Sequence, residues 1–205
     1  MTTVNPVTES STSTPTRPRS SATDLALIAA FAALLSALAY VGAIPVGGTG
    51  VPITLQTLGV GLAGALLGPV RGFLSVSLYL VLGAVGLPVF AEHSSGVGVL
   101  TGISAGYLYA FPLAALLIGA LVKYVAGDRG KTRAIVVFLC VAAGSVLVIH
   151  PLGIAGMKIH QDVSWSTAAG WDAPFWLGDL VKSTIVALVA AEVHRAFPQL
   201  LRRRG

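Results

Sequence analysis

Long apolar segments dominate this sequence and restrict the folds that it can adopt. Of its 205 residues, 55% are hydrophobic and only 10% are charged, whereas soluble domains carry about 25% charged residues. A helix that spans a bilayer needs about 20 mostly apolar residues, and the apolar segments indicate six such helices. The predicted fold is therefore an all-α integral membrane protein, a bundle of six transmembrane helices.

The predicted helices are separated by Gly, Pro and charged residues. In order along the chain, they cover about residues 22–44, 53–67, 72–87, 103–124, 134–152 and 174–197. The intervening stretch 153–172 is amphipathic, with tryptophans suited to the membrane interface, and is predicted not to span the membrane. We also expect a disordered N-terminal tail at 1–21 that is rich in Ser, Thr and Pro. A transmembrane domain at 22–197 and a basic C-terminal tail at 198–205 complete the predicted organisation.

The distribution of basic residues predicts the orientation of the chain. Six spans place both termini on one side, and eleven of the 13 Lys and Arg residues fall on that side. Lys158 falls on the other side, and Lys182 lies within a span. The positive-inside rule then predicts cytoplasmic termini for a multi-pass protein of a bacterial cell (inner or plasma) membrane. Because the basic residues do not form runs with aromatic residues, nucleic acid is not an expected partner.

An acid and a base lie inside the last predicted helix. Asp179 and Lys182 are three residues apart, so they occupy the same helix face. An ionised side chain in a bilayer helix costs at least about 2.5–3.5 kcal/mol, so such groups usually face a partner, a cavity or a ligand. Pro174 suits the first turn of a helix, which would place the pair roughly 8–12 Å from the helix start. This depth predicts a pocket open to one side of the membrane; a structural salt bridge is the alternative.

The predicted topology brings further polar residues to the external face. The Thr54–Thr57 segment and the Pro88–Gly98 loop lie there, together with the outer half of the last helix. Irregular polar backbone at membrane depth is tolerated only where it faces protein or water. The side chains in the first of these segments can therefore line a pocket, or they can serve only as helix caps and interhelical hydrogen bonds. They are Thr54, Gln56 and Thr57.

The sequence does not support an enzyme, a metal site or a cofactor. Gly130-Lys131-Thr132 lacks the earlier glycine of a phosphate-binding loop. Asp179 is interpreted as the only acid well inside a span, which excludes an aspartyl protease pair. The loop histidine His93 has no second histidine placed to activate a serine, and the single Cys140 gives no metal-ligand spacing. His150 is interpreted as a packing or interfacial residue rather than a proton relay.

Independent transport by this chain is harder to exclude than enzymatic activity. Secondary transporters commonly show internal repeats and charged relays near the midplane. No convincing repeat is visible, and the ionisable pair lies near one face. The pattern favours a binding component that depends on a separate energy source.

Small residues recur at helical spacing in the first predicted helix. Such rows allow a second helix to approach closely in lipid. They predict either ordinary packing within the bundle or a surface for a partner protein. The two rows are Ala22, Ala26 and Ala30, and Ala29, Ala33 and Ala37.

Four ordered segments resemble signatures of the BioY family. They are Val51–Leu58 with Leu67-Gly68-Pro69, Gly83 with Gly86–Ala91, Gly106–Leu108 with Phe111, and Gly178–Lys182. BioY proteins are the biotin-specific substrate-binding (S) components of energy-coupling factor (ECF) transporters. The resemblance extends over about residues 25–191. It implies an S-component fold and high-affinity capture of biotin from outside. It also implies uptake driven by a transmembrane coupling protein and two ATPase subunits.

The resemblance also implies a set of biotin contacts. Asp179 and Lys182 would bind the fused ring system, since a carboxylate accepts from a ureido N–H and an ammonium donates to its carbonyl. The Thr54–Thr57 segment and the loop around Phe90 would line or close the site. The alternative ligand is another small vitamin.

The apolar part of biotin suits aromatic side chains, which would be Tyr79, Phe90, Tyr107 and Trp176. The partner of the biotin carboxylate is not assigned, and its weak candidates are His93, Ser94 and Ser95. The helix-one residues expected to contact the coupling protein are Ala22, Ala26, Ala30 and Ala33.

Overall fold

A computed structural model describes residues 21–46, 50–126 and 134–197 of the chain. The described residues are mostly helical and contain no β-strand; an isolated antiparallel bridge joins Ile44 and Ile53. The predicted tails lie outside the described residues, except that Ser21 already begins the first helix. The predicted loop from Gly127 to Arg133 also lies outside them. The all-α prediction is confirmed.

The helices follow one another with short connections. They are α1 Ser21–Tyr40, α2 Gln56–Leu67, α3 Pro69–Ala84, α4 Val97–Leu100, α5 Ala105–Leu121, α6 Ala134–Gly144, α7 His150–Gln161 and α8 Trp165–Ala196. A π-helical turn at Val122–Ala126 extends α5, and another at Ser145–Ile149 joins α6 to α7. A short 3₁₀ turn at Ala91–His93 lies in the loop after α3.

Four of these helical stretches are long and apolar enough to cross a membrane. They are Ala22–Tyr40, Ala105–Val125, Ala134–Gln161 and Trp165–Ala196. The remaining apolar helices, α2 and α3, are shorter than the roughly 20 residues of a complete span. The six-span arrangement therefore stays a prediction.

The last helix begins earlier than the sequence predicted. It starts at Trp165, because Ser164 caps it: the Ser164 Oγ accepts from the Thr167 backbone N–H at 3.1 Å. Pro174 lies inside the helix rather than in its first turn. Asp179 is therefore roughly 21 Å along the helix at 1.5 Å per residue. The predicted depth of the charged pair was too small.

The stretch 153–172 is also helical where the sequence predicted a non-spanning segment. The helix that begins at Ala134 continues to Gln161. Pro151 falls at the start of α7, directly after the π-helical turn. That turn rearranges the hydrogen bonds that a proline would otherwise break. Asp162 ends the helix in the left-handed conformation, with φ of 50°, and α8 follows.

The helices pack around α5, which contacts α2, α3 and α7, while α6 packs on α8. Two apolar clusters form the described core. One is rich in aromatic side chains, including Tyr79, Phe90, Tyr107 and Phe175. The other is mostly aliphatic and also contains the single cysteine, Cys140.

Glycines permit two close approaches that shape the region between the helices. A side chain on Gly106 would collide with the backbone of Leu152 and Gly156, so α5 and α7 touch there through their main chains. A side chain on Gly83 would collide with the ring of Phe90. The Phe90 ring therefore fills a notch in α3 and fixes the loop that follows that helix.

Candidate ligand-binding site

A cavity of about 230 Å³ lies between the segment before α2, the loop after α3, and helices α5, α7 and α8. Its volume is somewhat below the roughly 300–1,000 Å³ of typical small-molecule sites. The predicted site residues that line it are Thr54, Gln56, Thr57, Phe90, Tyr107, Asp179 and Lys182. Its apolar wall is completed by side chains that the sequence prediction did not include: Ile103, Leu108, Ile149 and Phe175, together with Phe111 from the third family signature.

The Lys182 ammonium is fully hydrogen-bonded within the protein. Its Nζ lies 2.7 Å from Asp179 Oδ1, 2.7 Å from Thr57 Oγ1 and 3.0 Å from the Thr54 carbonyl oxygen. An ammonium has three N–H donors, and each has an acceptor here. Any donation from Lys182 to a ligand must therefore replace one of these contacts.

The Asp179 carboxylate is held from several sides. Its Oδ1 accepts from Thr57 Oγ1 at 2.8 Å and its Oδ2 accepts from Ser145 Oγ at 2.8 Å. The Nε2 of His150 lies 3.7 Å from Oδ2. Asp179 and Lys182 are only 6% and 7% exposed, yet both border the cavity. The pair is thus a salt bridge, but one that faces a space large enough for a ligand.

Tyr79 and Gln56 form a second polar chain beside the cavity. Thr54 Oγ1 donates to Gln56 Oε1 at 2.7 Å, and Gln56 Nε2 donates to the Tyr79 hydroxyl at 2.6 Å. Tyr79 is completely buried, and its ring packs edge-on against Phe90 at 5.4 Å. The structure therefore places Tyr79 behind the cavity wall, where it supports two lining residues.

Asp172 and His150 belong to this site, although the sequence analysis did not include them. Asp172 is completely buried in α8 and accepts hydrogen bonds from the Tyr107 hydroxyl at 2.6 Å and Trp176 Nε1 at 2.7 Å. His150 Nδ1 lies 2.9 Å from Asp172 Oδ2. The interpretation of Asp179 as the only acid well inside a span was therefore wrong, because Asp172 also lies inside the span-length helix Trp165–Ala196. His150, interpreted as a packing or interfacial residue, lies within the long helix Ala134–Gln161, where it is buried and lines the cavity.

The sequence does contain a signal for this second acid. Asp172, Trp176 and Asp179 are spaced four and three residues apart, so they lie along one face of a helix. The prediction missed this face because it ended the preceding helix too early and began the last helix at Pro174. With α8 starting at Trp165, Asp172 and Asp179 are both buried against the bundle, and the half-exposed Trp176 lies between them.

Comparison with known proteins identifies the family. Residues 10–199 match the profile of the BioY family. The chain belongs to the BioY family.

Several BioY relatives are similar over nearly their whole length. A biotin transporter BioY of Rhodobacter capsulatus is 39% identical over 191 residues, covering 89% of this chain and 98% of the relative. A probable biotin transporter BioY of Bacillus subtilis is 36% identical, covering 84% of this chain and 91% of the relative. The family resemblance of the four sequence segments is therefore confirmed.

A solved structure of the same kind supports the BioY fold. The crystal structure of the S-component for biotin from an ECF-type ABC transporter superposes with a TM-score of 0.80 at 26% identity. The match covers 85% of this chain and 92% of that chain. Together with its four span-length helices, the match shows a multi-pass membrane protein with an S-component-like bundle.

Of the remaining predicted site residues of this BioY chain, Ser94 lines the cavity, whereas Trp176, His93 and Ser95 are not in its lining. Trp176 is half-exposed and stacks on the His150 ring at a centroid distance of 4.3 Å. His93 packs edge-on against Tyr40 at 3.8 Å, and Ser95 is not among the lining residues. Ser94 does line the cavity, and its Oγ donates to the carbonyl of the neighbouring Ala91.

The alanine rows of the BioY chain lie on the outer face of α1. The four residues predicted to contact a coupling protein are exposed, whereas Ala32, Leu35 and Ala39 face the core. Their exposure favours a partner surface over packing within this bundle. The exposed residues are Ala22, Ala26, Ala30 and Ala33.

Proposed function

We propose that this BioY-family chain captures biotin from the external side of the membrane. In this proposal, it delivers biotin for uptake as the S component of an ECF-type ABC transporter. The observation that carries the proposal is the buried Asp179–Lys182 pair, which borders a cavity in a protein whose relatives are named as biotin transporters. Burying two charges only to neutralise each other contributes little stability, so a polar ligand is the better explanation.

The chemistry of the pair matches the ureido group of biotin. Asp179 accepts from a ureido N–H, and Lys182 donates to the ureido carbonyl. Because the Lys182 donors already have acceptors, this contact replaces one inside the protein. The polar contacts therefore set orientation and specificity. Much of the affinity then comes from burying the apolar bicycle and chain at about 25 cal/mol per Å². The aromatic surfaces available for this burial are Phe90, Tyr107, Phe111 and Phe175.

The finer organisation follows from the same proposal. The chain crosses a bacterial plasma membrane six times, with α2 and α3 as the two short spans and with both termini in the cytoplasm. The cavity then opens to the external face. The exposed alanines of α1 contact the transmembrane coupling protein, and two ATPase subunits supply the energy. The predicted tail-to-domain boundaries, near residues 21 and 198, fit this arrangement.

Direct binding tests the proposed function. The chain is purified in detergent or nanodiscs from cells grown on trace biotin, and copurified biotin and the affinity for labelled biotin are measured. We expect saturable, tight binding that unlabelled biotin displaces and other vitamins do not. If another vitamin competes better than biotin, the chain is an S component for that vitamin. If no vitamin binds, the proposal fails.

A further inference from the structure

The Asp172 carboxylate is an unusual group for the interior of a membrane protein. It has no exposed surface, and donors from α5 and α7 and from its own helix converge on it. A fully buried carboxylate is rarely favourable for stability compared with apolar residues of similar size. Two of its donors, Tyr107 and His150, themselves line the cavity. Asp172 therefore orients two cavity residues without lining the cavity itself.

The His150 ring lies between two carboxylates. Its Nδ1 is 2.9 Å from Asp172 Oδ2, and its Nε2 is 3.7 Å from Asp179 Oδ2. An ionised carboxylate can only accept hydrogen bonds, so each ring nitrogen faces an acceptor. The contact with Asp172 determines which nitrogen is turned towards Asp179. A small shift of the ring would bring Nε2 to hydrogen-bonding distance.

The charges around His150 do not balance if its ring is neutral. The carboxylates of Asp172 and Asp179 both face the His150 ring from α8. Asp179 also pairs with Lys182, and Asp172 accepts a hydrogen bond from the uncharged Tyr107 hydroxyl of α5. Glu92, from the loop after α3, adds a further carboxylate to the cavity rim. Among the described residues lining the cavity, Lys182 and His150 are the basic ones. A positive charge on His150 would bring the net charge of the buried side chains Asp172, Asp179, Lys182 and His150 to zero.

We propose that His150, held by Asp172, carries a proton on both ring nitrogens and acts as the second positive charge of the binding site. When Lys182 turns a donor from Asp179 to the ligand, the imidazolium compensates the Asp179 carboxylate. Asp172 is then a positioning residue, because it acts through His150 and does not contact the ligand. This inference rests on the proposed function for its role in binding, but its protonation state is testable without a ligand.

Nitrogen NMR on ¹⁵N-histidine-labelled protein gives the ligand-independent test. The chain has 4 histidines, so the His150 signals are assigned as those lost in a His150→Gln variant. We expect both ring nitrogens to carry protons at neutral pH in the full-length protein. In Asp172→Asn, we expect the Nδ1 signal to shift, because its hydrogen-bond partner changes from a carboxylate to an amide. A wild-type His150 with a bare Nε2 at neutral pH overturns the proposal.

Biotin affinity supplies the second test, as a double-mutant cycle. We expect Asp172→Asn and His150→Gln each to weaken biotin binding by about 10-fold, which corresponds to roughly 1.4 kcal/mol. Because the two residues act as one unit, the double variant should bind no more weakly than His150→Gln alone. Losses that multiply in the double variant would show that Asp172 acts apart from His150, for instance through Tyr107, and would contradict the proposed role through His150.

The pH dependence of biotin affinity connects the NMR measurement with the binding measurement. Wild-type affinity should be retained while NMR shows His150 protonated, and it should fall at the pH where the proton on Nε2 is lost. His150→Gln should not show this fall. The same fall in His150→Gln would assign the titration to another group and overturn the role of the imidazolium.

Matched substitutions separate these effects from general damage. His160→Gln, on the same helix, and Asp162→Asn, at the following turn, change exposed residues away from the cavity, and both should bind like wild type.

If Asp172→Asn does not fold, His150→Gln together with the wild-type NMR still decides the question. If wild type does not bind biotin but His150 is doubly protonated, the proposed function fails and the charge assignment stands. If wild type binds biotin and both variants bind equally well, only this inference fails.

Discussion

At the scale of single residues, Lys182 shows how a charge can be kept inside a membrane bundle. Its ammonium contacts a carboxylate on its own helix and two oxygens from the start of α2. The segment around Thr54 and Thr57 therefore supplies acceptors where α2 is too short to be a complete span. The lysine and the short helix are parts of the same site.

Removing this ammonium should weaken binding without unfolding the protein. We expect Lys182→Met to lower biotin affinity roughly 10- to 1,000-fold, because about 1.5–4 kcal/mol of charged hydrogen bonding is lost. Isothermal titration with purified protein measures the change. Lys158→Met, which alters a lysine away from the cavity, is the control and should leave affinity unchanged. Unaltered binding by Lys182→Met would remove this lysine from the site.

The charged pair was predictable from sequence, but its neighbours were not. Asp179 and Lys182 stand out because ionised residues are rare in apolar helices. Asp172 was missed because the sequence around it is polar enough to resemble an interfacial segment. Its burial depends on His150 and Tyr107, which reach it from other helices. Contacts of this kind require the three-dimensional packing.

At the scale of helices, the crossing of α5 and α7 determines where the cavity residues meet. Gly106 and Gly156 bring the two main chains into contact. That contact places Tyr107 within reach of the Asp172 carboxylate. The contact between α5 and α7 therefore also fixes the position of Tyr107 in the site.

A single methyl group at this crossing should destabilise the fold. We expect Gly106→Ala to lower the free energy of unfolding by about 1–3 kcal/mol, because backbone atoms cannot move aside as a side chain can. Thermal unfolding in detergent measures the effect. Gly170→Ala is the control, since nothing lies within 4 Å of its added carbon. Equal melting temperatures for the two variants would show that α5 and α7 do not touch in this way.

The exposed face of α1 should act in uptake rather than in binding. We expect Ala26→Leu or Ala30→Leu to abolish biotin uptake by cells containing the complete transporter, because a bulky side chain prevents close helix approach. Biotin binding by the purified variants should stay at the wild-type level. Ala173→Leu changes an exposed alanine on α8 and should not affect uptake. Loss of binding in the α1 variants would instead place these alanines within the bundle.

Helix positions were predicted better than helix ends. The apolar segments give the order of the helices, but Pro174 was taken as a start signal although it lies inside α8. A proline within a membrane helix is tolerated because neighbouring groups satisfy the freed carbonyl. Sequence alone does not reveal those neighbours, so the early start at Trp165 and the continuation to Gln161 were missed.

At the scale of the whole molecule, the proposed function assigns biotin binding to the cavity and contact with the coupling protein to the exposed face of α1. Residues of the aromatic core cluster line the cavity, including Phe90, Tyr107 and Phe175. The aliphatic cluster, which includes Val137 and Val186, reaches the charged pair at Val141. Among the described residues, no member of the aliphatic cluster lines the cavity.

This division predicts that binding and transport are separable. Vesicles that contain only this chain should bind biotin but not accumulate it, whereas adding a coupling protein and ATPases should give ATP-dependent uptake. Vesicles with a Lys182→Met chain provide the background. Accumulation by the chain alone, unaffected by ATP depletion, would identify a self-sufficient transporter.

The orientation of the chain is a separate prediction. Affinity tags added to either terminus should be protected from protease in intact cells and cleaved after the membrane is opened, because both termini are expected in the cytoplasm. Tag cleavage in intact cells would reverse the assigned orientation and direct the cavity inwards.

The stacking of Trp176 on His150 has a practical consequence. The indole is in van der Waals contact with a ring whose edge borders the cavity, and its N–H is fixed by Asp172. Its fluorescence emission should therefore change when the cavity fills, giving an intrinsic optical signal for occupancy. Among the ring contacts of the described residues, Trp176 is the tryptophan that stacks on a cavity-lining ring, so Trp176→Phe should remove the response. Stopped-flow mixing could then follow the arrival and departure of biotin in real time without a label.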